Sequence, residues 1–112
     1  MYGLPKDKDL GFLVGRELVQ VCIGLHQTVL AFDQDTSISV ECEFEILDRT
    51  GDRSSDKARF LALLASHIAT VENRGAGELV LCFSDGASVR IRDSNPNYES
   101  YQISAPGQTI VV

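Results

Sequence analysis

Residues 28–41 read TVLAFDQDTSISVE, and they align without gaps on residues 79–92, which read LVLCFSDGASVRIR. Phe32 falls on Phe83, and on either side of a polar turn both stretches alternate apolar and polar residues. This alternation is typical of a β-hairpin, and the Asp-Gly pair in the second stretch is the strongest short hairpin signal in the chain. The likeness is explained either by an old duplication or by two hairpins that solve the same packing problem.

A helix is predicted between the two hairpins. Apolar residues recur there at helical spacing and form one stripe, made of Phe60, Leu61, Leu64, Ala65, Ile68 and Val71. Ser55 can cap this helix, Asp56 places a carboxylate at the positive end of its dipole, and the glycine-rich residues 75–77 end it. Because burial of the stripe is expected to hold the helix, Leu64→Asp is predicted to damage the fold.

Strand-like runs lie on both sides of this helix. Three precede it and end in a long strand from about Thr36 to Leu47, and three follow it from Glu78 onward. The order β-β-β-α-β-β-β predicts an α+β fold, in which one helix packs on an antiparallel sheet of two β-meander halves. We assign residues 1–10 to a flexible N-terminal arm and residues 11–112 to a single α+β domain.

The composition excludes several classes of protein. The net charge of the 112 residues is -6 and the pI is about 4.7, so nucleic-acid phosphates would repel the chain. No apolar run approaches the roughly 20 residues of a membrane span, and the N-terminus lacks the apolar core of a signal peptide. Three unpaired cysteines fit a reducing compartment. We therefore predict a cytoplasmic protein that binds neither nucleic acid nor membrane.

The chain offers few groups for catalysis or metal binding. Cys22, Cys42 and Cys82 are widely spaced, and neither His26 nor His67 has a second ligand at metal-binding spacing. Phosphate-binding glycine motifs and the G-x-S-x-G elbow are also absent. We therefore predict no catalytic residue, no metal and no cofactor. A pocket that brought these histidines or cysteines together with carboxylates would change that interpretation.

An acidic strand is the main candidate for partner binding. Residues 40–46, VECEFEI, alternate apolar and acidic residues, so a strand places the three glutamates on one face. Arg90 and Arg92 are predicted to face them if the two hairpins lie side by side. Two arginines cannot neutralise all of the nearby carboxylates, so acidic surface should remain open. The candidate residues are Glu41, Glu43, Glu45, Asp33 and Asp35.

Tyrosines near the C-terminus are further candidates. Tyr98 and Tyr101 lie in the segment YESYQI, and a rigid ring with a polar tip is favoured in recognition surfaces. The alternative places Tyr101 in the core beside Ile103. The L-x-F-x-D-G hairpin of residues 81–86, followed by D-S and this segment, resembles a small uncharacterised bacterial domain family. That resemblance implies no assigned chemistry, so no catalytic residue is carried over from it.

Three hypotheses about function remain open. In size and charge the chain also resembles immunity proteins of bacterial toxin systems, which implies a non-enzymatic module that neutralises a basic toxin domain through its acidic strand. The second hypothesis is a homo-oligomeric structural protein, such as a homodimer paired through the last strand or the acidic strand. The third is a small-molecule binder or an enzyme of unknown class.

Overall fold

The computed structural model describes residues 10–75, 78–92 and 101–111, and within them ten strands and two 3-10 helices. The first half begins with the 3-10 helix Gly11–Leu13 and continues with β1 (Leu18–Ile23), β2 (Thr28–Phe32), β3 (Thr36–Val40), β4 (Glu43–Leu47) and β5 (Arg53–Ser54). The second half begins with the 3-10 helix Lys57–Leu63 and continues with β6 (Ile68–Gly75), β7 (Glu78–Phe83), β8 (Ser88–Arg92), β9 (Tyr101–Ala105) and β10 (Gln108–Val111).

The strands form two five-stranded sheets in which every neighbouring pair is antiparallel. The first sheet has the order β1-β2-β3-β9-β10, and the second has the order β6-β7-β8-β4-β5. The two orders correspond strand for strand. In each half, three strands stay in one sheet and the following hairpin crosses to the other sheet. The halves therefore exchange hairpins, and neither sheet is complete without both of them.

Strand register supports this correspondence. Leu30 lies opposite Ile38 in the first sheet, and Leu81 lies opposite Val89 in the second, at positions that the sequence alignment makes equivalent. Glycine and alanine at equivalent positions after the two 3-10 helices also make equivalent bonds. The amide of Gly15 donates to the carbonyl of Ile68 at 2.7 Å, and the amide of Ala65 donates to the carbonyl of Leu18 at 2.8 Å. The two halves are thus related by an approximate twofold axis.

The core is apolar and draws side chains from both sheets and both 3-10 helices. Phe60 and Leu63, from the second 3-10 helix, are almost fully buried, and the Phe60 ring centroid lies 4.8 Å from that of Phe44 on β4. Leu10 is also buried, although the rest of the predicted arm lies outside the described residues. Within the described residues, no helix combines the length and the apolar character needed to cross a membrane.

The predicted antiparallel pairing is confirmed, but the strands form two sheets instead of one, and the predicted element order is wrong. The long helix is replaced by the 3-10 helix Lys57–Leu63 and the strand β6. Asp56 does cap the helix, since its carboxylate accepts a hydrogen bond from the amide of Ala58 at 3.0 Å. The chain leaves the helix at Ala65, where φ is +72°, and β6 then pairs along β7. That pairing satisfies backbone groups of β7 that would otherwise form an open sheet edge.

The predicted long strand from Thr36 to Leu47 is also wrong. It is two strands, β3 and β4, which lie in different sheets and are separated by Glu41 and Cys42. The alternation of residues 40–46 continues across this break, so the pattern by itself does not reveal it. Here the chain changes sheets because β4 completes the second sheet beside β8. Glu41 consequently leaves the face that Glu43 and Glu45 share.

Candidate functional site

The outer face of the second sheet is lined by alternating charges. Residues that alternate with the buried ones point outward, and β4 and β8 pair in a register that places Glu43 opposite Arg92 and Glu45 opposite Arg90. The prediction that these arginines face Glu43 and Glu45 across strands is therefore confirmed, although no ion pair within 4.0 Å joins them among the described residues. Each cross-strand pair of opposite charges in such a ladder contributes only about 0.2–1 kcal/mol, so the arrangement adds little to stability.

Further ion pairs extend this face on both sides. Arg53 Nη1 on β5 lies 3.6 Å from Glu45 Oε1, and on β6 Arg74 Nε lies 3.0 Å from Glu72 Oε1. We call the whole set the charged ladder, and its members are Glu43, Glu45, Glu72, Glu78, Arg53, Arg74, Arg90 and Arg92. Four glutamates and four arginines give this face a formal charge near zero. The face as a whole is therefore not acidic, although Glu43 on this strand stays exposed.

Glu78 is the most constrained carboxylate of the charged ladder. Its two oxygens accept hydrogen bonds at 3.3 Å from Arg74 Nη1 and from Arg92 Nη2. Burial raises the pKa of Glu78, but the hydrogen bonds from the two arginines outweigh it, and the pKa lies below its ordinary value. Glu78 is thus held ionised by its own neighbours and is not available as a binding group.

An open cleft of about 410 Å³ lies along β4 and β8. Its lining residues are Cys42, Glu43, Phe44, Glu45, Ser55, Arg90 and Arg92. Glu43 and Arg90 form no ion pair within 4.0 Å to any residue that the structure describes, whereas Glu45 and Arg92 are paired. Glu43 is also exposed, and Arg90 is partly exposed. This cleft therefore presents an exposed carboxylate and a partly exposed guanidinium, neither of which forms an ion pair with a residue that the structure describes.

At the positions that the structure describes on both sheets, the equivalent face of the first sheet carries fewer charges. Ser39 occupies the position equivalent to Arg90, and Gln102, opposite Ser39, is equivalent to Glu45. Gln27 aligns in sequence with Glu78. Because both sheets have the same strand order, the fold itself does not require charge at these positions. The charged ladder is therefore a feature of the second sheet that the fold does not require, which makes it a candidate for function.

The other predicted acidic residues lie away from the cleft. Asp33 and Asp35 lie in the turn between β2 and β3, and Glu41 follows the other end of β3, which is five residues long. At about 3.3 Å per residue the two ends are roughly 16 Å apart. Asp33 Oδ1 accepts a hydrogen bond from the amide of Glu17 at 3.1 Å, so this carboxylate stabilises the turn. The structure thus brings together Glu43 and Glu45 but not the whole acidic set.

The two candidate tyrosines have different outcomes. Tyr101 is 1% exposed and belongs to the core, so it is not a surface anchor, and the alternative placement beside Ile103 is confirmed. Tyr98 lies outside the described residues. A strand pattern cannot distinguish the two faces of YESYQI, because tyrosine suits both a core and a recognition surface.

A second open cleft, of about 310 Å³, lies beside the loop that joins β4 to β5. Asp48 Oδ1 accepts hydrogen bonds from Thr50 Oγ1 at 2.6 Å, from the Thr50 amide at 2.9 Å and from the Asp52 amide at 3.0 Å. These bonds, led by that of the Thr50 hydroxyl, lower the pKa of Asp48. The carboxylate therefore organises the loop, and its acceptor capacity is used within the turn.

The histidines and cysteines lie apart from one another. His67 Nε2 is 3.8 Å from Glu17 Oε1 at the junction of the two halves, and His26 is exposed in the loop between β1 and β2. Cys42 lines the first cleft and Cys22 is exposed on β1. Among the described residues, no group of three or more potential ligand side chains is arranged to hold a metal ion.

Sequence reasoning missed half of the charged ladder. Glu72, Glu78, Arg53 and Arg74 were not singled out. The hairpin alignment could have indicated Glu78, because it is the first residue of β7 and lies opposite Arg92 on β8. The other three lie on the edge strands β5 and β6, and only β5 joins this sheet through the exchange of hairpins.

A comparison with protein families gives a domain with nearly the same limits as the fold described above. A family described as "Family of unknown function (DUF6188)" matches residues 11–112. The chain belongs to this family. The DUF6188 match includes both 3-10 helices and all ten strands, so the family domain comprises both halves with their exchanged hairpins. Neither curated proteins nor solved structures gave a significant match.

Proposed function

We propose that this DUF6188 protein is a non-enzymatic protein-binding module whose partner docks at the cleft along β4 and β8. The observation that carries the proposal is that Glu43 and Arg90 both line this cleft, and neither forms an ion pair within 4.0 Å to a residue that the structure describes. Isolated exposed charges contribute little to folding, so their presence is better explained by an intermolecular contact.

The partner is expected to be basic around the contact. Glu41 and Glu43 are both exposed, and neither forms an ion pair to a described residue, so they are the carboxylates available to lysine or arginine side chains. Arg90 would take a carboxylate or a backbone carbonyl of the same partner. A net charge of -6 would speed the approach of a basic protein, and the mixed pair in the cleft would fix its orientation.

An immunity protein that neutralises a basic toxin domain is the biological role that we propose for this module. The acidic charge and the small domain support it, and so does the open cleft with its unpaired carboxylate. Such a protein would act in the cytoplasm. In this role the module needs no cofactor and no catalytic group, because occupying the toxin surface is sufficient.

A pull-down from native cell lysate at low and high salt tests the proposal. We expect one basic protein to be retained at low salt and released at high salt, because exposed charge pairs are screened. The double variant Glu41→Lys with Glu43→Lys should retain much less of it. With the purified partner, the association rate should fall by about tenfold at low salt, within the range that electrostatic steering covers.

A matched control separates the cleft from the overall charge. Glu43→Gln and Glu72→Gln remove the same charge from the same sheet face, but Glu72 lies outside the cleft and pairs with Arg74. We expect only Glu43→Gln to weaken retention. Equal retention by the Glu41/Glu43 variant, or a lysate in which nothing is retained at either salt concentration, would contradict the proposal.

A further inference from the structure

Beside the cleft, one edge of the second sheet is only partly covered. β5 is two residues long and pairs only with Ile46 and Leu47 of β4. Among the residues that the structure describes, no strand therefore pairs with residues 43–45 on the side of β4 that faces away from β8. We call residues 43–45 the open edge of β4. All three line the cleft, together with Ser55, which follows β5.

The corresponding edge of the first sheet is covered by a longer strand. β9 is the counterpart of β4, β10 is the counterpart of β5, and β10 pairs with four residues of β9. Val111 lies opposite Gln102, which is the counterpart of Glu45. In the second sheet the chain turns away before this point, because Asp56 caps the 3-10 helix that follows β5. A strand is thus the kind of element that the fold accepts at the open edge of β4.

The backbone of Phe44 points toward this edge. Backbone groups of alternate residues in an antiparallel ladder point to the same side. The amide of Asp48 donates to the carbonyl of Asp52 at 2.9 Å across the β4–β5 hairpin. The backbone groups of Ile46 and Phe44 therefore also point away from β8. Ile46 has Ser54 of β5 as its partner, whereas Phe44 faces no described strand there and offers one donor and one acceptor.

The side chain of Phe44 is also incompletely covered. It lies against the core, at the position equivalent to Tyr101 of β9. Tyr101 is 1% exposed, whereas Phe44 is only partly buried and lines the cleft. An apolar side chain opposite Phe44, on an added strand, would cover the rest of the ring.

The charges beside the open edge favour a basic segment. Glu43 and Glu45 alternate with Phe44 and point to the outer face. Arg53 on β5 already provides a cation to this face, as its Nη1 lies 3.6 Å from Glu45 Oε1. Glu43 forms no ion pair with a described residue, so a lysine or arginine of an added strand would be its counterpart. A second copy of β4 is disfavoured, because glutamates would then oppose glutamates.

We infer that the partner docks by adding an extended basic segment, as a strand, to the open edge of β4. This inference rests on the proposed function of the cleft and specifies the form of the partner that the cleft receives. The segment alternates basic residues, which face the glutamates, with apolar residues, which face Phe44. Main-chain hydrogen bonds to Phe44 supply affinity, and the alternating side chains supply specificity.

Amide hydrogen exchange of the full chain, followed residue by residue by NMR, tests the inference. The probe is the synthetic heptapeptide KVKVKVK, which alternates lysine and valine. In the free protein we expect the amide of Phe44 to exchange faster than that of Ile46, because only Ile46 has a partner strand on that side. Saturating peptide should slow exchange at Phe44 at least about tenfold and leave Ile46 unchanged.

Two N-methylated forms of the peptide provide a matched control. Methyl groups on the valine nitrogens remove the amides that face β4, whereas methyl groups on the lysine nitrogens remove amides that face away from it. The two forms have the same charge and composition. We expect only the valine-methylated form to lose binding and to leave exchange at Phe44 fast.

Several results would overturn the inference. A Phe44 amide that is already protected in the free protein would show that the chain covers this edge itself. Peptide binding that leaves exchange at Phe44 fast, equal binding by the two methylated forms, or no binding would also reject strand addition. The proposed function fails by a different result, namely a pull-down without a partner. A partner whose retention needs Glu43 but does not protect Phe44 would keep the cleft as the docking site and reject only strand addition.

Discussion

Gly15 and Ala65 occupy the same structural position in the two halves of the chain, but they are different residue types. They follow the two 3-10 helices at equivalent positions, with φ angles of +88° and +72°. Glycine adopts this region without cost, whereas a Cβ atom there costs roughly 1–2 kcal/mol. A Cβ added at Gly15 would meet no atom within 4 Å, so only the backbone angle distinguishes the two residues.

We predict that Ala65→Gly stabilises the protein by up to about 1 kcal/mol. The relief of the positive φ angle exceeds the entropy that a glycine adds to the unfolded chain, which is about 0.4–1 kcal/mol. The reciprocal change, Gly15→Ala, should destabilise by about 1 kcal/mol. Urea unfolding of both variants measures the effect. A lower midpoint for Ala65→Gly would show that the alanine side chain contributes packing that outweighs its strain.

Glu78 is expected to make the contribution of the charged ladder to folding stability depend on pH. Its pKa in the folded state lies below the ordinary value of 4.5, so the unfolded chain binds its proton more readily. The stabilisation is therefore complete above pH 4.5 and is lost as the pH falls through the folded-state pKa. We predict that Glu78→Gln lowers stability at neutral pH and flattens the acid side of the stability curve. Thermal unfolding at a series of pH values tests this, and an unchanged acid slope would contradict it.

The second 3-10 helix explains why the helical pattern misled at the scale of elements. Phe60 and Leu63 are buried, three residues apart, which is the period of a 3-10 helix. The predicted stripe used the wider α-helical spacing and therefore included Leu61 and Leu64, which are about half exposed. We therefore no longer expect Leu64→Asp to damage the fold. A substitution of the buried Leu63 is expected to do so instead.

We predict that Leu63→Ala lowers the free energy of unfolding by about 2–5 kcal/mol, because it leaves a cavity between the sheets. Leu64→Ala, its neighbour on the exposed side, should cost less than about 1 kcal/mol. The two substitutions remove the same atoms, so the difference reports burial alone. Chemical denaturation measures both values, and equal costs would contradict the assignment of faces.

The exchange of hairpins governs the behaviour of the whole molecule. β4 and β5 from the first half complete the second sheet, and β9 and β10 from the second half complete the first. Each half by itself would expose the apolar face of a three-stranded meander and would leave a hairpin with no sheet to join. The charged ladder likewise forms only when the two halves are assembled, since its residues come from both halves.

We predict that the fragments 1–55 and 56–112 do not fold separately but recover native structure when mixed. Circular dichroism and urea unfolding of each fragment, alone and in an equimolar mixture, test this. The expected result is a cooperative transition in the mixture only. Cooperative unfolding of either fragment alone would mean that one half folds without the hairpin of the other. A fragment pair cut inside β2, at residue 30, serves as a control that should not recover.

The sequence by itself determined the two hairpins, their turns and the antiparallel pairing. These features depend on residues close together in the chain, where alternation and turn chemistry act directly. It also indicated that Arg90 and Arg92 face the glutamates across strands, but for a different arrangement, because the two hairpins lie in different sheets and β4 crosses over to pair with β8.

Only the tertiary structure decided which hairpin joins which sheet, where residues 40–46 break into two strands, and which apolar residues stay exposed. The segment after Ala65 became a strand because β7 needed a partner along its edge, and local spacing does not contain that information. The cleft also depends on tertiary structure, since Glu43 and Arg90 lie far apart in sequence and line one cleft only because a strand of one half completes the sheet of the other.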